Sequence, residues 1–160
     1  MRRLLLAFLF AGFLAAASAA QPQVELNVDR LASALKLLSD MDRAIVRQTI
    51  DLLRSGQHEA ALARLSALNT SNPENSSVRI LLAYAQLQLG NLLGAFEQAE
   101  KAEAAPNGTS YRCYFLGKMA LITGNRAVCQ REIGHLKAVG DMKSGVRELE
   151  KAMRSGGTAP

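Results

Sequence analysis

The stretch AYAQLQLGNLLGAFEQA, residues 83–99, decides the fold, and Gly90 lies in its middle. The apolar residues on both sides have helical spacing, but a glycine inside a helix costs about 1 kcal/mol relative to alanine. Gly90 therefore either weakens one long helix or ends one helix and lets a second begin. The rest of the chain distinguishes these two possibilities.

The glycine recurs at a fixed interval of 34 residues, at Gly56, Gly90 and Gly124. Each of these glycines is followed by an amide residue, and a small residue stands five positions after it: Ala61, Ala95 or Cys129. Because glycine adopts the left-handed conformation that ends a helix without strain, the pattern predicts three chain reversals. The predicted helix pairs are 42–55 with 57–69, 76–89 with 91–105, and 110–123 with 125–139.

A 34-residue helix-turn-helix unit with this pattern resembles the tetratricopeptide repeat. The closest stretches are residues 72–106 and 111–130, where Gly117 takes the small-residue position seven before the turn glycine. The resemblance covers about residues 42–140. It implies an all-α fold, a right-handed α-solenoid of about three repeats. Since a solenoid exposes an apolar face at each end, residues 28–39 and 141–154 are expected to form N- and C-terminal capping helices.

The first twenty residues, MRRLLLAFLFAGFLAAASAA, have the features of a secretory signal peptide. Arg2 and Arg3 precede an apolar run that is too short to span a bilayer, and small residues follow in a cleavage pattern. The predicted organisation is a signal peptide at 1–20, one helical domain at 21–155 and a disordered tail at 156–160. The protein is therefore expected to cross the inner membrane, to be periplasmic and to keep no membrane span after cleavage.

The charge of the chain argues against a nucleic-acid partner. The full sequence has 19 basic and 14 acidic residues, and removal of Arg2 and Arg3 leaves 17 against 14. This excess is mild and is not gathered into a block of Lys and Arg. An exported protein of this kind is not expected to bind nucleic acid.

The resemblance also implies a concave groove, lined by the first helix of each pair, that receives a peptide of a partner protein. Aromatic side chains and arginines are frequent at interaction hot spots, and the cations favour an acidic or carboxylate-bearing partner. The alternative is that the arginines form a solvated face and the tyrosines fill gaps between helices. The family's groove positions correspond here to Arg43, Val46, Arg47, Ile50, Arg54, Ile80, Tyr84, Gln88, Tyr111, Tyr114, Phe115 and Lys118.

The chain offers few residues for chemistry. Cys113 and Cys129 could form a disulfide in an oxidising compartment, or they could be two small core residues; these interpretations weigh equally. Cys129 and His135 are six residues apart and face different sides of a helix, so no metal site and no cofactor are predicted. The one enzyme-like string, Ser33-x-x-Lys36, lacks the partner motifs of serine acyl-enzymes.

The sequence therefore predicts a non-catalytic protein-protein interaction module, exported and part of a bacterial envelope complex. An alternative is a structural subunit that forms oligomers through its end helices or outer face. A remote alternative is a serine hydrolase that uses Ser33.

Overall fold

The computed structural model describes residues 24–106 and 109–155. The predicted signal peptide and the predicted tail at 156–160 lie outside these ranges. The described residues form eight α-helices and one short 3-10 turn, with no strand. None of these helices is long and apolar enough to cross a membrane. The elements are the 3-10 turn Asp29–Leu31, α1 (Ala32–Leu35), α2 (Asp40–Arg54), α3 (His58–Ser71), α4 (Ser76–Gln88), α5 (Leu92–Ala104), α6 (Ser110–Ile122), α7 (Arg126–Val139) and α8 (Lys143–Arg154).

Six of the helices form three hairpins that stack in chain order. The hairpins are α2–α3, α4–α5 and α6–α7, and each packs against the next through α3 with α4 and through α5 with α6. The helix pairs predicted from the glycine interval are confirmed, with ends that differ by one or two residues. The fold is an all-α helical-repeat solenoid.

The three repeated glycines end the first helix of each hairpin. Gly56, Gly90 and Gly124 have φ angles of +77°, +79° and +75°, which other residues adopt only with strain. After Gly90 the Asn91 N–H donates to the Gln86 carbonyl at 2.9 Å, and the Asn91 side chain accepts from the Gly94 N–H. The same residue thus closes one helix and caps the next, so Gly90 interrupts no long helix.

The small residues that follow each glycine let the two helices of a hairpin approach closely. Ala61, Ala95 and Cys129 are all fully buried. Gly117 lets a different helix approach α6, because a Cβ atom there would lie 2.9 Å from Leu149 Cδ1 of the C-terminal helix α8. Close packing at these positions, and not only the turns, fixes the repeat geometry.

Replacing Gly90 by alanine tests the turn directly. No atom lies within 4 Å of the added Cβ, so the cost is purely conformational and we expect a loss of about 1–2 kcal/mol in the free energy of unfolding. Gly134, inside α7 and equally open, is the matched control: Gly134→Ala should gain up to about 1 kcal/mol. Chemical denaturation measures both, and a Gly90→Ala variant as stable as the wild type would contradict the assigned turn.

The N-terminal segment, residues 24–38, takes a different path from the predicted end cap. It was expected to be a helix at 28–39 that covers the first hairpin. Instead it forms only the 3-10 turn and the four-residue α1, and α1 packs on α4 in the middle of the rod. Ser77 Oγ donates to the Leu31 carbonyl and Asn75 Nδ2 donates to the Ala34 carbonyl, both at 2.9 Å. These bonds from α4 and its N-cap explain the path.

At the other end, α8 covers the third hairpin as predicted for residues 141–154. It contacts both α6 and α7, and Leu149 is fully buried against them. Its first turn follows Gly140, whose φ angle is +74°.

Candidate functional site

The structure buries five of the predicted groove residues. Val46, Ile50 and Tyr111 are 2%, 5% and 2% exposed, and Ile80 and Phe115 are buried as well. These side chains are core residues in this conformation, and their assignment as partner-contacting residues is corrected. The reason is that α2, α4 and α6 contribute these side chains to one hydrophobic core, and that α4 contacts both α6 and helix α1 of the N-terminal segment.

Tyr111 shows how the N-terminal segment occupies the inner face. Its hydroxyl donates to the Glu25 carbonyl and accepts from the Asn27 N–H, both at 3.0 Å. Burial raises the pKa of Tyr111, so the hydroxyl keeps its proton for the first of these bonds. Thr109 adds a bond from its hydroxyl to the Arg30 carbonyl at 3.1 Å. The part of the groove formed by α6 is thus filled by the chain itself.

The three predicted arginines of α2 differ in their surroundings. Arg43 donates to the Lys36 and Leu38 carbonyls and pairs with Asp40, so it holds the end of the N-terminal segment. Arg54 is mostly exposed and pairs with Asp51 at 3.7 Å. Arg47 is exposed. Arg47 and Arg54 are therefore the α2 cations within reach of a partner.

Tyr114 and Lys118 face the C-terminal helix. Lys118 Nζ and the Tyr114 hydroxyl each donate to the Glu148 carboxylate of α8 at 2.6 Å. Burial and this hydrogen bond to Glu148 raise the pKa of Tyr114. Partial burial opposes ionisation of Glu148, but the bonds from Lys118 and Tyr114 outweigh it and lower the pKa of Glu148. These two predicted groove residues anchor α8.

The lowered pKa of Glu148 predicts an acid-dependent loss of stability. The carboxylate stabilises the fold above the ordinary glutamate pKa of 4.5, and this contribution is lost as the pH falls through the lower pKa of the folded state. We expect the stability difference between the wild type and Glu148→Gln to be largest near pH 7 and to shrink toward about pH 3. Urea denaturation across this range measures it. A difference that stays constant with pH would contradict the assigned ion pair.

A cavity lies open on the inner face, beside the N-terminal segment. We call it the inner cavity; its volume is about 430 Å³. Tyr84 and Gln88, which were predicted from sequence, are half-buried in its wall, and Arg54 stands at its side. The lining consists of Val24, Glu25, Leu26, Val28, Leu53, Arg54, Tyr84 and Gln88.

Sequence reasoning missed five of these lining residues, Leu53 and four from the N-terminal segment. A signal was present in the alternation of Val24, Leu26 and Val28, which is typical of an extended chain with one apolar face. In the structure Val24 is buried and Leu26 and Val28 are partly buried, while the residues between them are exposed. The segment thus lies on the groove as an extended peptide would.

Both cysteines are free thiols in the structure. Cys129 is fully buried in the core, and Cys113 is half-buried on α6. Burial raises the pKa of each thiol to about 11, with the negative Glu132 nearby as a further cause at Cys113. The disulfide stays a prediction, which non-reducing mass spectrometry of exported material would test.

The remote hydrolase candidate lies on the short helix α1. Ser33 and Lys36 are both exposed there, and no hydrogen bond joins them among the described residues. Labelling by a serine-reactive probe that is lost in Ser33→Ala is the test of this alternative.

The arrangement as a whole defines a class of protein: a stack of antiparallel helical hairpins, with the first helices on an inner face that holds extended polypeptide. Residues 52–105 match the family model described as "Tetratricopeptide repeat". This range runs from the end of α2 through the whole second hairpin. This match supports the assignment of the chain to the tetratricopeptide repeat family, which the 34-residue interval predicted. Neither a curated protein nor a solved structure matches the chain significantly.

Proposed function

We propose that the protein is an exported, non-catalytic module that holds a segment of a partner protein in the inner cavity, as part of a bacterial envelope complex. Tetratricopeptide repeats suggest a protein-protein interaction role. The observation that carries the proposal is the opening between the N-terminal segment and helices α2 and α4, where Tyr84, Gln88 and Arg54 meet. Export and the periplasmic location are supported by the signal-peptide features of residues 1–20.

The chemistry of the inner cavity fits a short polypeptide segment. Tyr84 offers an aromatic face with a polar end, which is a frequent anchor of interfaces. The Gln88 amide can donate to and accept from a peptide main chain. The surface already binds main-chain carbonyls of its own chain through Tyr111, Ser77 and Asn75. A partner strand beside the N-terminal segment would meet the same type of surface.

The charges at the cavity favour an acidic partner. Arg54 is mostly exposed and weakly paired, and Arg47 lies further along α2. An approaching carboxylate would form a charge-assisted hydrogen bond with the Arg54 guanidinium. Glu25 also lines the cavity. It would repel a partner carboxylate that approached on the side of the N-terminal segment. The acidic residue is therefore placed on the α2 side.

Site-specific crosslinking and one matched pair of variants test this function. A photo-reactive residue at position 88 should capture the partner in cells, and one at the exposed Glu97 of α5 should not. Tyr84→Ala should then reduce recovery of that partner by about tenfold or more. Tyr114→Ala is the control, since Tyr114 bonds to α8 and lies outside the inner cavity. Equal recovery of the partner with Tyr84→Ala and with the wild type would contradict binding in the inner cavity.

The structural-subunit alternative is favoured by one observation. Leu37 and Met41 are 65% and 75% exposed where the N-terminal segment enters α2. A contiguous patch of exposed apolar side chains marks an association surface, and these two residues are four positions apart in the sequence. Sedimentation of the purified protein separates the alternatives: an oligomer that dissociates in Leu37→Glu with Met41→Glu supports the structural subunit, and a monomer in both supports the binding module.

A further inference from the structure

A second group of side chains with metal-binding chemistry lies between the second and third hairpins. Glu103 comes from α5, Cys113 from α6, and Glu132 and His135 from successive turns of α7. One potential ligand atom of each residue lies within 4.8 Å of those of all the others. We propose that these four residues bind a divalent cation of the zinc type, which bridges the two hairpins.

The decisive observation is a buried carboxylate oxygen that accepts no hydrogen bond of ordinary geometry. Glu132 is fully buried, and its Oε2 lacks such a bond among the described residues, although the Cys113 thiol interacts with this carboxylate. His135 Nδ1 lies 3.5 Å from this oxygen and 3.8 Å from Glu103 Oε1. A buried carboxylate oxygen without a hydrogen bond is costly. A cation at the centre of the four residues would satisfy it.

The neighbouring arginine orients this carboxylate. Arg131 Nε donates to Glu132 Oε1 at 2.7 Å. With one oxygen fixed in this way, the other is left for the interior of the group. Metal-binding side chains are commonly held by an outer hydrogen bond of this kind.

The ligand types and the charge both suit zinc. Cysteine sulfur, histidine nitrogen and carboxylate oxygen are the ligands of Zn²⁺, and four of them complete a tetrahedral site. Bond lengths of about 2.0–2.3 Å require ligands that are roughly 3.3–3.8 Å apart, so small side-chain rotations would suffice. A thiolate and two carboxylates beside the Arg131 cation leave a formal charge of minus two, which a divalent cation neutralises.

The metal ion can reach the site from solvent, and its binding releases one proton. The side chains of His135 and Glu103 are 50% and 24% exposed, so an ion can enter from solvent between α5 and α7. On binding, the Cys113 S–H bond breaks as the metal–sulfur bond forms, and the proton leaves to solvent. No oxidant or reductant is needed. A Cys113–Cys129 disulfide would consume this ligand, so the proposal requires the reduced thiol.

Sequence reasoning did not find this site. It considered only Cys129 with His135, whereas the structure uses Cys113 on another helix. Glu103 and Glu132 are 29 positions apart along the chain, and only the stacking of hairpins brings them together.

Titration with Zn²⁺ alone, on reduced and chelator-treated protein, tests the proposal by calorimetry. We expect one ion per chain, with affinity weakened at least about tenfold in His135→Ala and in Cys113→Ser. The matched controls are His58→Ala and Cys129→Ala, which change the other histidine and the other cysteine of the chain and should bind as the wild type does. Circular dichroism confirms that each variant is folded.

Co²⁺ provides a readout of the sulfur ligand. A cobalt–thiolate charge-transfer band should appear in the wild type and in Cys129→Ala, and should be absent in Cys113→Ser. Glu132→Gln should also lose Zn²⁺ binding, and circular dichroism checks that this variant is folded. The proposal is overturned if Zn²⁺ binds no better to the wild type than to Cys113→Ser with His135→Ala, or if the band survives in Cys113→Ser.

Discussion

Replacing Phe115 by alanine is expected to lower the free energy of unfolding by about 3–5 kcal/mol. The ring is fully buried on α6, and its centroid lies 6.3 Å from that of Tyr111. Truncation removes apolar contacts and leaves a cavity that helices on several sides cannot close. Since whole domains are stable by only about 5–15 kcal/mol, the variant should be close to unfolding at physiological temperature.

Phe96 provides the matched control for this experiment. It is partly buried on α5 and packs at the edge of the same core. Phe96→Ala should cost less, about 1–2 kcal/mol, in proportion to the smaller area that it buries. Guanidinium denaturation followed by circular dichroism measures both variants. If Phe115→Ala lowers the free energy of unfolding no more than Phe96→Ala does, Phe115 does not lie at the centre of the core.

Replacing Tyr111 by alanine should have an effect of similar size on stability and a second effect on the N-terminal segment. The ring is 2% exposed and packs near Tyr114, with centroids 6.0 Å apart. Its loss should cost about 3–5 kcal/mol. The loss of its bonds to Glu25 and Asn27 should also release this part of the segment. Trypsin cleavage after Arg30 is the readout of that release.

The conservative variant separates the two effects. Tyr111→Phe keeps the ring and removes only the hydroxyl, so the stability should fall by about 1–2 kcal/mol. Cleavage after Arg30 should nevertheless increase, since both main-chain bonds are lost. If cleavage is unchanged in Tyr111→Phe and in Tyr111→Ala, the tyrosine does not hold the segment.

The repeats could be predicted because their determinants are local. A turn glycine can be recognised from its own position in the sequence, without knowledge of any distant contact. The fixed interval between these glycines, which have φ angles near +77°, gives the number of hairpins. Thr49 shows the tolerance of the pattern. It is a polar residue on the buried face of α2, and its burial is tolerated because its hydroxyl donates to the Ile45 carbonyl at 2.7 Å.

The site could be predicted only in part because it depends on contacts between distant residues. Asn27 and Tyr111 are 84 positions apart, and nothing in the spacing of apolar residues links them. Family positions alone therefore left Val46, Ile50 and Tyr111 in the groove, where the N-terminal segment and neighbouring helices bury them. Tyr84 and Gln88 remain at the inner cavity since the segment passes beside them.

The central claim is that the N-terminal segment lies along the inner face of the rod and not on its end. In the structure Arg30 Nη1 is 3.6 Å from Asp141 Oδ1, which lies beyond the third hairpin. A segment that capped the first hairpin would hold these two residues at opposite ends of the molecule. A zero-length carbodiimide crosslink in an Arg30→Lys variant can therefore distinguish the two paths.

Two native ion pairs serve as internal controls for this crosslink. Lys118 with Glu148 and Lys137 with Glu150 are each 2.6 Å apart and should form amides in the same sample. The account predicts that mass spectrometry will also find peptides joined between position 30 and Asp141. Formation of both control crosslinks without the one from position 30 to Asp141 would contradict it.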